Sequence, residues 1–244
     1  VAREVVARQH NSVLRRQQIQ LGDADGFVGG VSRNYADVLR PPLQLIGKSK
    51  GSHCIIGCYM MNIKGRTIFL ADATVNVYPD SRTLAEIAVQ TAKVARRFGV
   101  IPKVAMLSFS NFGSTRAQRS ERIEDAVLMA RELDPSLVID GPMQGDTALN
   151  TLVQDEYPFM NLEGPANVLV LPNLTAANIA YKLLEELGDA EMTGPILEGM
   201  DRPVQLVARQ DGVRHIVNMA TICAADAIRS ESYWDTLSDA SSKE

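Results

Sequence analysis

The residues best placed to do chemistry follow an apolar run at 104–108 that reads as a strand. Ser110, Asn111, Phe112, Gly113, Ser114, Thr115 and Arg116 then combine hydroxyls, a glycine and a cation. Small residues let backbone N–H groups approach a phosphate or carbonyl oxygen, and Arg116 adds charge, so the segment suits an anion-binding turn. An ordinary polar strand-to-helix loop has the same composition, and the residues alone leave both readings open. The segment lacks GxxxxGK[ST], so it is no nucleotide P-loop. Gly22-Asp23-Ala24-Asp25-Gly26 and Gly29-Gly30 put tight turns on either side of a short strand. Their spacing does not match G-x-G-x-x-G, which favours structural glycines over a dinucleotide loop. Arg33 and Arg40 follow that strand, where each could meet a phosphate or simply face water. His53, Cys54 and Cys58 could suggest a metal. However, thiols four apart in an apolar run, with no second pair at ligand spacing, read as buried cysteines. H-E-x-x-H is absent. His215 stands alone near the start of the last helix.

The elements that must position these residues alternate short apolar runs with amphipathic helices, the pattern of a mainly parallel α/β sheet. A helix is expected up to Leu21, a strand at 26–30, and a helix from about Asn34 that Pro41-Pro42 must interrupt or restart. Runs at 52–61 and 67–75, joined by Asn62-Ile63-Lys64-Gly65, predict one antiparallel hairpin and a domain change beside it. Thr83 and Glu86 read as a capping box for a helix closed by Gly99, and Ser120 as the cap of the next helix. Strands are expected at 137–140, 167–171, 191–197 and 204–208. Helices are expected at 145–154, at 176–187 with Gly188 closing, and at 213–228, with a frayed tail from Ser238.

The chain has 244 residues, 45% hydrophobic and 22% charged, with a net charge of −4. That is globular composition, and it argues against a disordered chain, a basic nucleic-acid footprint or a polybasic membrane patch. No apolar run reaches the ~18 residues of a membrane span. Three cysteines make no disulfide framework, so a reducing, cytoplasmic setting is expected. The uncapped opening at Val1 predicts a chain that begins inside a longer polypeptide.

Collinear segments across nearly the whole chain resemble the phosphate acetyl/butyryl transferase family. Among them are Gly22-Asp-Ala-Asp-Gly26, Ala71-Asp72 with Val75-Asn76, Val104-Ala-Met-Leu-Ser108, Ile139-Asp-Gly-Pro-Met-Gln144 and Gly194-Pro-Ile-Leu197. The resemblance implies a three-layer, mainly parallel α/β fold of the phosphotransacetylase or isocitrate dehydrogenase-like kind. One domain would be built from residues 1–50 and 198–244, with 51–197 inserted. Enzymes of the family carry a pattern like K-P-x-x-D-L-S-R-G-x-x-x-D-D-I-V, whose Ser and Arg bind acetyl phosphate and whose second Asp acts as base. Here Arg209 matches, but Ala208 stands at the serine position and His215 at the base position. Losing a hydroxyl donor to a developing oxyanion costs ~10²–10³ in rate, so no catalytic residue is expected. Ser110-Asn-Phe-Gly-Ser114, Asn11-Ser-Val-Leu14 and Ile216-Val-Asn-Met219 look more like the transferase-like domain of bacterial hybrid malic enzymes.

That resemblance implies a regulatory domain that senses acetyl-CoA for a malic enzyme domain of the same polypeptide, an oxidoreductase converting malate to pyruvate. NADP and a divalent metal would serve only that other domain, and this one would dimerise. The alternative is an active phosphate acetyltransferase. The expected acetyl-CoA contacts are Arg33, Arg40, Ser110, Asn111, Gly113, Ser114, Arg209 and Asn218.

Overall fold

The fold is seen in a computed structural model that describes residues 5–6, 24–30, 35–114 and 118–241. The strands are β1 (Val5–Val6), β2 (Gly26–Gly30), β3 (Ile56–Ile63), β4 (Arg66–Ala71), β5 (Lys103–Leu107), β6 (Val138–Met143), β7 (Val168–Val170), β8 (Glu191–Glu198) and β9 (Val204–Val207). The helices are α1 (Tyr35–Leu45), α2 (Ser81–Arg97), α3 (Gln118–Leu133), α4 (Gly145–Leu149), α5 (Thr151–Gln154), α6 (Leu174–Gly188) and α7 (Val213–Ser241). The chain divides into two compact units, a terminal one of Val1–Gly51 with Met200–Glu244 and a central one of Ser52–Gly199.

In the terminal unit a parallel sheet runs in the order β1-β2-β9. Phe27, Val28, Leu206, Val207, Met219 and Cys223 are buried in its core. Gly30 pairs with Val207 at a φ of +142°, and a Cβ there would lie 1.8 Å from the Val207 carbonyl oxygen. Only glycine lets these two backbones approach so closely.

The central unit holds a six-stranded mixed sheet in the order β6-β5-β7-β4-β3-β8. The first four strands are parallel, whereas β3 runs antiparallel to both β4 and β8. Successive strand residues face opposite sides. Leu70, Ala105 and Leu169 pack with Ala148 of α4 and with Ala177 and Tyr181 of α6. On the other face Phe69 meets Phe98 at the end of α2, with ring centroids 6.0 Å apart, and α3 packs beside α2.

Several expectations need correction. Val5–Val6 is a strand parallel to β2 rather than helix; the rest of the expected N-terminal helix lies outside the described residues. Helix α1 runs through Pro41 and Pro42 without a break. The hairpin turn is the two-residue Lys64-Gly65, at φ values of 48° and 75°, as a primed turn demands. Asp80, not Thr83, caps α2, its side chain accepting from the Thr83 N–H at 2.8 Å. Helix α3 begins at Gln118, before Ser120. The expected helix at 145–154 is broken at Asn150, whose side chain accepts from the Leu152 N–H and caps the second piece. Asp189, rather than Gly188, takes the left-handed position after α6. Helix α7 continues to Ser241, past the expected fraying.

All three cysteines are buried thiols outside any disulfide, with the Cys223 thiol pushed up to about 12 by burial and Cys58 pushed up as well. Among the described residues no helix is long and apolar enough to cross a membrane.

Candidate functional site

In the central unit β5 ends at Leu107 and the chain turns through the expected anion-binding segment. Hydrogen bonds from neighbouring backbone fix it: Ser108 N donates to Met143 O at 2.8 Å, and Phe112 N to Pro142 O at 2.7 Å. Asn111 is the hub. Its Oδ1 accepts from Gln144 N at 2.7 Å, while its Nδ2 donates to Gln144 Oε1 at 3.2 Å and to the Tyr157 hydroxyl at 3.1 Å. Gln144 Nε2 returns a bond to Phe109 O at 3.0 Å.

Phe112 sits at a φ of +45°, a left-handed conformation that costs a bulky residue roughly 1–2 kcal/mol. Its ring is held by Tyr157 at 5.2 Å and by Phe159 at 5.0 Å between centroids. Strain held this way is typical of ligand-binding loops. Ser110 is buried, Ser114 is exposed, and Ser114 N donates to Asn111 O at 2.9 Å. The loop is therefore a well-braced, uncharged turn at the carboxyl end of a parallel strand, with Ser114 exposed on it.

In the terminal unit β9 ends at Val207 and the chain enters α7 through a short turn. Asp211 organises it, its Oδ2 accepting from Ala208 N at 2.6 Å, while Asp211 N donates to Ala208 O at 3.3 Å. His215, in the first turn of α7, places Nε2 at 3.4 Å from the same Oδ2. That is an ion-pair distance once the ring is protonated. The angle makes no hydrogen bond, and the buried Nε2 has no other partner among the described residues. Arg209 projects into solvent, and Asn218 is half-buried one helical turn after His215.

The expected contacts thus fall into separate groups. Ser110, Asn111, Gly113 and Ser114 share the central unit's loop. Ala208, Arg209, His215 and Asn218 share the terminal unit's turn and helix start. Arg40 stands exposed in the middle of α1. Arg33 and Arg116 lie outside the described residues. Sequence reading missed Gln144 and Tyr157, which hold the loop from 33 and 46 residues away. It also missed Asp211 as the turn's organiser. Asp211 had a signal, an acidic residue three positions after Ala208 before a helix, whereas Tyr157 had none.

A carboxylate also shapes the loop after β4. Buried Asp72 accepts from the N–H groups of Gly57, Thr74, Val75 and Asn76 and from Asn76 Nδ2. Burial pushes its carboxyl up against the opposing pull of those donors.

Residues 1–224 match the family described as Phosphate acetyl/butaryl transferase, and the chain belongs to that family. It is 41% identical over 209 residues to an NADP-dependent malic enzyme of Rhizobium meliloti, covering 86% of this chain and 27% of that protein. It is 40% identical over 208 residues to a phosphate acetyltransferase of Bacillus subtilis, covering 85% of this chain and 64% of that protein. A phosphotransacetylase structure from Streptococcus pyogenes superposes with a TM-score of 0.84 at 37% identity, covering 88% of this chain and 66% of that one. The chain therefore spans about a quarter of the malic enzyme and under two thirds of the transferase.

Proposed function

We propose that this domain binds acetyl-CoA as an effector, without turning it over, and regulates a malic enzyme domain of the same polypeptide. The observation that carries this reading is the turn at Ala208. Where the family's enzymes present a serine hydroxyl, this chain has a methyl group, and its N–H is taken by Asp211. The likeness to a malic enzyme supports the attached domain. Arg209 keeps the charge that CoA phosphates need, because a guanidinium pairs with phosphate oxygens bidentately. Regulation then follows from linkage: acetyl-CoA shifts the attached domain only by its differential affinity for two states, typically ~1–3 kcal/mol.

The second reading, an active phosphate acetyltransferase, draws support from His215 beside Asp211. A histidine beside a carboxylate can serve as a general base toward a thiol. Two measurements separate the readings. Acetyl phosphate and CoA should give no thioester above background, while calorimetry should detect acetyl-CoA binding that Arg209→Ala weakens by ~10-fold or more, the loss of one charge-assisted bond. A turnover near ~10 s⁻¹, the ordinary enzyme median, would replace the regulatory reading with the catalytic one.

A further inference from the structure

A cleft of about 430 Å³ opens in the central unit between Tyr78, Ser108, Phe109, Arg122, Pro172 and Thr175. Its place follows from the sheet order. Strands β5 and β7 are neighbours, yet β5 leads into α3 and β7 into α6. Helix α3 packs beside α2 on the Phe69 face, while α6 packs on the Leu70 face. The two connections leave adjacent parallel strands toward opposite faces, which opens a crevice at the strands' carboxyl ends. In open α/β sheets such crevices are where ligands bind.

The walls indicate what would fit. Arg122 spans the crevice, donating from Nη1 to Pro79 O and from Nη2 to Pro172 O, each at 2.9 Å. A guanidinium has five N–H donors. These two bonds leave others over, and the buried Nε has no partner among the described residues. Thr175 adds a hydroxyl in the first turn of α6, and Ser108 adds another at the end of β5. Against this cationic, hydroxyl-bearing end stand two aromatic rings that the core does not use: Tyr78 is 78% exposed and Phe109 57% exposed. A cation with spare donors suits a phosphate, and exposed rings suit a flat heterocycle. The volume lies within the range of small-ligand pockets, ~300–1,000 Å³.

We propose that this cleft takes the nucleoside phosphate end of the domain's ligand, with phosphate at Arg122 and the base against Phe109 and Tyr78. The choice of adenosine as the nucleoside rests on the acetyl-CoA reading above. Because Arg122 also ties two loops together, the informative variants are Tyr78→Ala and Phe109→Ala, which alter exposed side chains.

Calorimetry on the full chain would use three probes: adenosine 3′,5′-bisphosphate, inorganic phosphate and acetyl-CoA. The bisphosphate should bind more tightly than phosphate, and each variant should weaken it by ~5- to 100-fold, the range for one lost base–aromatic stack. Wild-type protein that binds the bisphosphate no better than phosphate would overturn the proposal, as would undiminished affinity in both variants. Bisphosphate binding without acetyl-CoA binding would remove the effector reading and leave the cleft standing. Normal acetyl-CoA affinity in both variants would remove the cleft and leave the effector reading.

Discussion

The loop at 108–114 and the turn at 208–212 both follow a parallel strand, but they are held in different ways. Backbone groups of β6, the side chains of Asn111 and Gln144, and a three-ring aromatic cluster brace the loop. The turn depends on one carboxylate, Asp211, and on the backbone position that β2 imposes on β9. A strained loop with many supports can present fixed groups to a ligand. A turn with a single support can rearrange at small cost. This contrast is open to direct test.

The largest effect is expected from Gly30→Ala. The new Cβ would fall 1.8 Å from Val207 O, so β2 and β9 must separate, at a cost of more than about 4 kcal/mol. Hydrogen exchange should show lost amide protection in both strands; native protection would mean that the turn does not depend on that approach. Asn111→Ala comes next. It removes three partly exposed hydrogen bonds, worth together about 1–2 kcal/mol, and leaves strained Phe112 with only its ring contacts and one backbone bond. The urea midpoint of the central unit should fall, and faster exchange at the Gln144 amide would place the loss. An unchanged midpoint would show that the aromatic cluster alone suffices.

Asp211→Ala should cost about 1 kcal/mol and release the Ala208 N–H, whereas Asp211→Asn should keep most of the bond. Exchange at the Ala208 amide reads both, and equal rates in the two variants would deny Asp211 its organising role. The smallest effect concerns Asp134, outside both regions. The Ser136 hydroxyl and Arg96 hold its carboxyl below the ordinary value. A depressed folded value means that the stabilisation is present above about pH 4 and is lost as the pH falls through the lower folded value. Asp134→Ala should therefore cost no more than about 1 kcal/mol at pH 7, and less in acid. Equal cost at pH 7 and pH 3 would contradict that assignment.

Much of this was legible in the sequence because it is local. The alternation of apolar runs and amphipathic helices specified the α/β class, and the runs flanking residues 62–65 specified a hairpin, though not that its turn is only Lys64-Gly65. The matching segments and the two altered motif positions, Ala208 and His215, specified the family and the doubt about catalysis. Helix boundaries were less legible, since Asp80 and Thr83 are both competent caps and only the folded backbone chooses between them. Pro41-Pro42 looked like a break, yet α1 continues through both.

What only the tertiary structure decided is long-range. The packing of Tyr157 and Phe159 against Phe112, the grip of Gln144 on Asn111, and the span of Arg122 between Pro79 and Pro172 join residues tens of positions apart. So does the crevice between β5 and β7, which exists because the strand order differs from the chain order. Periodicity and capping act over a few residues and carry no information about which strand lies beside which. Sheet order is set by the packing of whole faces, and that is where the candidate ligand cleft was made.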